Sequence, residues 1–113
     1  MSKTSLGNTT VTMNDVQEIV RRIVEVAQPE RVILFGSAAR GEMGPHSDLD
    51  FLIIKSGAHR LQLSDRIVLA LYGVNAAVDL VVATPEDIDR YGDSHALVYK
   101  PAIREGLVLY DAA

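Results

Sequence analysis

Apolar positions along this chain follow two different periods. Val16, Ile19, Val20, Ile23, Val24 and Ala27 recur every three or four residues, the stripe of an amphipathic helix. Asn14 or Asp15 can cap its start, and Pro29 ends it near Gln28. Residues 1–11 are polar, small and aperiodic, and read as a frayed arm. The other apolar positions cluster in short runs rich in β-branched or bulky residues, as strands do. These runs cover residues 31–35, 51–54, 76–83 and 107–110, the last expected at a sheet edge. A second helix is predicted over residues 61–72, with Ile67, Val68, Leu71 and Tyr72 inward, Asp65 and Arg66 outward, and Gly73 as its stop. Thr84-Pro85-Glu86-Asp87 has a capping residue, a first-position proline and acids in the first turn, so a short helix to about Tyr91 follows. Gly92-Asp93-Ser94 turns the chain. Ser94 can cap a last helix toward Glu105, which Pro101 should kink and Gly106 close. Helices mixed with short strands place the chain in the α/β (α+β) class.

The connection between the first two strand runs breaks the apolar pattern most sharply. Gly36-Ser37-Ala38-Ala39-Arg40-Gly41-Glu42-Met43-Gly44-Pro45-His46-Ser47-Asp48-Leu49-Asp50 holds three glycines and a proline, then two aspartates at the head of a strand that otherwise reads as buried. Residues two apart in a strand share a face, so Asp48 and Asp50 project together, with Cα atoms about 6.5 Å apart. At a carboxylate separation of ~4 Å and an effective dielectric of ~20, they repel by roughly 4 kcal/mol. That is a large term beside a net stability of about 5–15 kcal/mol. A hard divalent cation relieves it: Mg²⁺ takes carboxylate oxygens and fills its shell with waters and substrate phosphates. The turn before the aspartates suits those phosphates. Gly36 allows backbone to approach a ligand closely, and Ser37 offers a hydroxyl.

Gly36-Ser37, ten residues, then Asp48-Leu49-Asp50 resembles the motif of the nucleotidyltransferase superfamily that includes DNA polymerase β. The extended string, Gly36-Ser37-x-Ala39-Arg40-Gly41 and then Ser47-Asp48-x-Asp50, resembles its minimal nucleotidyltransferase branch. Many members of that branch are antitoxins paired with a HEPN-domain ribonuclease. The resemblance covers most of the chain, from the first helix to Tyr110, and implies a small mixed β-sheet flanked by helices. It also implies a third acidic residue on a later strand. Asp79, inside Ala76-Ala77-Val78-Asp79-Leu80-Val81-Val82-Ala83, matches that position. Aspartate is rare in strands and costly when buried unpaired, so the alternative is a salt bridge to an arginine or backbone N–H donors. Ala38 stands where many relatives carry a basic or polar residue, so one phosphate contact is expected to be missing.

Composition narrows the partners. The chain has 113 residues, enough for one domain with one core. It has no cysteine, hence no thiolate metal site and no disulfide. No apolar stretch is long enough for a membrane span, and the N-terminal residues lack a signal core, so a cytoplasmic protein is expected. Lys and Arg number 11 against 15 Asp and Glu, a net charge of −4. Phosphate backbones call for a basic surface, and Arg21-Arg22 beside Glu18 and Glu25 reads as a solvated helix face, so direct nucleic-acid binding is not expected. Self-association is left open.

The expected site is therefore Asp48, Asp50 and Asp79 as catalytic and metal-holding residues, with Gly36, Ser37, Arg40 and Ser47 toward nucleotide phosphates. Arg40 has Glu42 as an alternative partner, and Ser47 is also an ordinary turn residue. His46, His59 and His95 read as solvated, and Tyr72, Tyr91, Tyr99 and Tyr110 as core or rim, Tyr99-Lys100 being a weak candidate for substrate contact. The resemblance implies two Mg²⁺ ions, ATP as donor, and transfer of AMP to a hydroxyl, usually tyrosine, of a HEPN-type toxin. Two alternatives stand beside it: an antitoxin that masks its toxin by binding alone, and a small-molecule nucleotidyltransferase acting on an aminoglycoside-like acceptor.

Overall fold

A computed structural model describes residues 11–41, 48–91, 102 and 104–112. The arm at residues 1–10, Ser47 and His46 in the connection, and residues 92–100 with His95, Tyr99 and Lys100 lie outside the described residues. The elements are α1 (Met13–Ala27), β1 (Arg31–Phe35), a 3-10 turn (Ser37–Arg40), β2 (Asp48–Ile54), α2 (Arg60–Ala70), β3 (Ala77–Ala83), α3 (Pro85–Tyr91) and β4 (Leu107–Asp111). The sheet order is β3-β2-β1-β4. β1 runs antiparallel to β2 and to β4, whereas β2 and β3 are parallel. The sheet is therefore mixed. A parallel pair needs a crossover, and α2 supplies it. β4 lies at an edge, as its short apolar run suggests.

The cap of α1 differs from the expected one. Thr12, not Asn14 or Asp15, is the N-cap: its Oγ1 accepts from the Asp15 N–H at 3.3 Å, and the Asp15 carboxylate accepts from the Thr12 N–H at 2.9 Å. This reciprocal pair satisfies two N–H groups the helix cannot bond itself. Val11, taken with the arm from sequence, is 5% exposed and joins the core with Val16, five residues on. That is the spacing of a hydrophobic staple across a helix start. Farther along α1, Arg21 and Arg22 both bond Glu18, and these hydrogen bonds hold the Glu18 carboxyl down to about 2. The arginine pair is thus a paired helix face.

Alternation along β2 divides the core in two. Leu49, Phe51 and Ile53 face α1 and α2 with Val32 and Leu34, while Leu52 and Ile54 face the other way, with Ile33, Ala83 and Ala102. α2 contributes Leu63, Ile67 and Leu71 to the first cluster. The expected inward placement of Val68 and Tyr72 is wrong, since they are 58% and 89% exposed. A helix lying on a sheet buries only one narrow stripe. Leu63, Ile67 and Leu71, at four-residue spacing, form it, and Val68 and Tyr72 point off it.

Candidate active site

Asp48 and Asp50 lie on the β2 face shared with Leu52 and Ile54, opposite α1 and α2. In the parallel register, Asp50 is level with Asp79 of β3, and Asp48 with Ala77. Register partners in neighbouring strands point to the same side, so all three carboxylates emerge on one face at the Asp48 end of β2. This half of the face is acidic. The other half is covered by the apolar cluster that includes Ile33, Leu52, Ile54, Ala83, Ala102, Val81 and Ile88.

Asp50 is half-buried and sits between strands. Phe35 of β1 is its register partner on one side and Asp79 on the other. Burial, then the charges of Asp79 and Asp48, and then a hydrogen bond with Asp79 push its carboxyl above the usual carboxylate range. Asp79 shares a hydrogen bond with Asp50 on this face.

The glycine turn closes on this pair. Gly36 has φ +77°, in the region that disfavours side chains. A Cβ at Gly36 would lie 2.5 Å from Asp50 Oδ2. Gly36 therefore brings backbone directly against the Asp50 carboxylate, a role the sequence suggested only toward a ligand. Ser37 opens the 3-10 turn, in which the Ala39 N–H already bonds the Gly36 carbonyl at 3.2 Å. The amides of Ser37 and Ala38, one step earlier, lie ahead of the first bond within the turn. Ala38 itself is 4% exposed and packs in the core with Leu34 and Leu49. A side chain at this position points inward, toward the core rather than the open face of the turn. Arg40 ends the turn, is exposed, and is already engaged with a partner. Ser47 lies outside the described residues.

The donor set suits a hard cation. Three aspartates give only carboxylate oxygens, and burial together with the neighbouring aspartate charges raises the Asp50 carboxyl. Among the described residues, no group of three or more acidic or histidine side chains is gathered closely enough to hold a metal ion by itself. The carboxylates share a face, with Asp50 and Asp79 in contact and Asp48 at the open end. Mg²⁺ fits this arrangement because it is usually held by one or two carboxylates, with waters and substrate phosphates completing its shell.

Residues 13–106 match the family model for the nucleotidyltransferase domain. The chain belongs to the nucleotidyltransferase family. Among solved structures, a candidate nucleotidyltransferase of Sulfolobus solfataricus aligns at TM-score 0.56 and 23% identity, covering 88% of this chain and 80% of its own. A toxin–antitoxin complex with AMP-PNP aligns at TM-score 0.53 and 19% identity, covering 89% of this chain and 74% of its own. At these identities the likeness is one of fold, and it agrees with the mixed sheet described above. No curated protein matches the sequence.

Proposed function

We propose that this nucleotidyltransferase acts as an antitoxin, transferring AMP from ATP to a hydroxyl, most simply a tyrosine, of a HEPN-type toxin ribonuclease. The observation that carries the reading is the level placement of Asp50 and Asp79 beside the Gly36 turn, with Asp48 on the same face. Two further features support it. A structural neighbour is a toxin–antitoxin complex crystallised with an ATP analogue. α2 also leaves Leu61, Val68, Leu69 and Tyr72 between 58% and 89% exposed, the kind of apolar surface that marks a protein partner.

Asp48, Asp50 and Asp79 would hold Mg²⁺, which when bound supplies Lewis-acid stabilisation to the phosphoryl oxygens and the departing pyrophosphate. The chain's own residues do the rest. The Ser37 and Ala38 amides and the Ser37 hydroxyl grip the distal phosphates and fix the α-phosphorus above the acidic face. Asp79, at the β3 edge, orients the incoming hydroxyl and accepts its proton on a carboxylate oxygen. Asp50, held by Phe35, Gly36 and Asp79, positions the pair. The hydroxyl oxygen bonds to the α-phosphorus as the bond to the β-phosphate oxygen breaks, and the electron pair leaves with pyrophosphate. The toxin partner brings its own acceptor, so only local positioning is required.

The test is intact-mass spectrometry of the cognate toxin after incubation with this protein, ATP and Mg²⁺, with Asp79→Asn as control. One or more added adenylyl groups, absent with the variant, are expected. An unchanged toxin mass with ribonuclease activity still blocked in a stoichiometric complex would replace transfer by masking.

A further inference from the structure

One cavity lies away from the carboxylates. It has a volume of about 730 Å³ and sits between the last turn of α1, the residue after β2, and α2. Lys55 follows β2, whose first residues carry the aspartates, so roughly 20 Å of strand separates the two places. Its wall brings Arg22, Lys55 and Arg66 together against one carboxylate, Glu25. A smaller hollow of about 280 Å³ shares Lys55 and Arg66 and continues along residues 56–59. Such a grouping runs against the net charge of −4.

The charges in this cavity are not all spent. Arg22 is tied to Glu18 and to the carbonyls of Ala70 and Tyr72, and Glu25 lies 3.7 Å from Arg21. Lys55 and Arg66 have no carboxylate partner among the described residues. Lys55 Nζ donates to the Gln28 carbonyl at 3.0 Å, and Arg66 Nη2 to the Val26 carbonyl at 3.2 Å. Each bond uses one donor of a group that has several, so most N–H groups stay available while the side chain is held in place. Both anchors are carbonyls at the end of α1, whose last turn has no basic residue. Offsetting that helix end accounts for the anchoring, but not for two cations facing one hollow.

We propose that this hollow is a second binding site, for a small polyphosphate-bearing anion, held mainly by Lys55 and Arg66. Its volume falls in the ~300–1,000 Å³ range of small-ligand sites. A nucleic acid would need an extended basic surface, and two of the cations outside the hollow, Arg21 and Arg60, are paired with acids.

Calorimetric titration of the full chain with inorganic tripolyphosphate tests this. EDTA is present throughout, so that the carboxylate site is denied its metal. The wild type is expected to bind, and Lys55→Gln/Arg66→Gln to bind at least about tenfold more weakly, the loss expected from removing charge-assisted hydrogen bonds. Lys55→Arg should retain binding. Arg66→Gln alone, at an exposed position, serves if the double variant does not fold. No binding by the wild type, equal binding by the variants, or binding of long RNA without binding of tripolyphosphate each overturns the assignment.

Discussion

Gly36 and Asp50 lie so close that a Cβ on Gly36 would reach within 2.5 Å of Asp50 Oδ2. Gly36→Ala should therefore damage the site through Asp50 as well as through its own φ of +77°. Gly41 is the internal control, because it has φ +81° but nothing within 4 Å of an added Cβ. Both alanine variants should lose roughly 1–3 kcal/mol to backbone strain, read by denaturant unfolding. Only Gly36→Ala should also abolish Mg²⁺-dependent binding of a non-hydrolysable ATP analogue. Equal nucleotide binding in the two variants would remove the proposed Gly36–Asp50 coupling.

The raised Asp50 carboxyl predicts a pH dependence of stability without metal. Its ordinary value is 3.8 and the folded value is higher. Between the two, the folded state binds more protons than the unfolded state, so its contribution is favourable at low pH and is lost as pH rises through the folded value. Asp50→Asn removes the titration. In EDTA, the stability of Asp50→Asn relative to wild type should increase from pH 4 toward neutral, and the variant should be the more stable at pH 7. A difference that does not change with pH would mean that the Asp50 carboxyl is not raised as described.

Mg²⁺ with an ATP analogue should raise the melting temperature of the wild type, since ligand that binds only the folded state stabilises it, by about 2.7 kcal/mol at a hundredfold excess over Kd. Asp79→Asn should melt normally without ligand and show little or no ligand-induced rise. A full rise in the variant, measured by differential scanning fluorimetry, would remove Asp79 from the metal-holding set.

α3 offers a prediction of opposite sign. The Asp87 carboxylate accepts from the Thr84 N–H at 3.0 Å, Thr84 Oγ1 accepts from the Asp87 N–H at 3.1 Å, and Arg60 lies 3.7 Å away. The Thr84 backbone bond is the main reason Asp87 lies below its ordinary 3.8. A depressed carboxyl stabilises the fold above its ordinary value, and that contribution fades as pH falls through the folded one. Asp87→Ala should cost about 1 kcal/mol at pH 7, as losing a helix cap does. The cost, read from urea unfolding, should shrink in acid. An undiminished cost at low pH would assign it to packing rather than charge.

Much of the site was legible in the sequence because it is local. The spacing of Asp48 and Asp50 in a strand fixes their common face, and Gly36-Ser37 after a strand marks a turn whatever the rest of the chain does. The strand at residues 31–35 and the helix start at Thr84 follow from neighbours a few residues apart. The stripe on α1 was readable for the same reason, although its cap was not: Asn14 is by type the better capping residue, and the reciprocal Asp15 contact selects Thr12.

Pairing between strands is decided by tertiary structure, because contact across a sheet has no fixed separation in sequence. Sequence placed Asp79 in a strand, but only the parallel register brings it level with Asp50, 29 positions earlier, where its charge adds to burial in raising the Asp50 carboxyl. The burial of Ala38 against Leu34 and Leu49 likewise appears only once the turn folds back on the sheet. Val68 and Tyr72 fit a helical stripe in sequence, but the sheet beneath α2 accepts only Leu63, Ile67 and Leu71. Lys55 and Arg66 form no charge run and converge only because the end of α1 lies between them. Local spacing thus determined which groups this protein carries and on which face of each element, while packing decided which groups meet and so which charges are forced together.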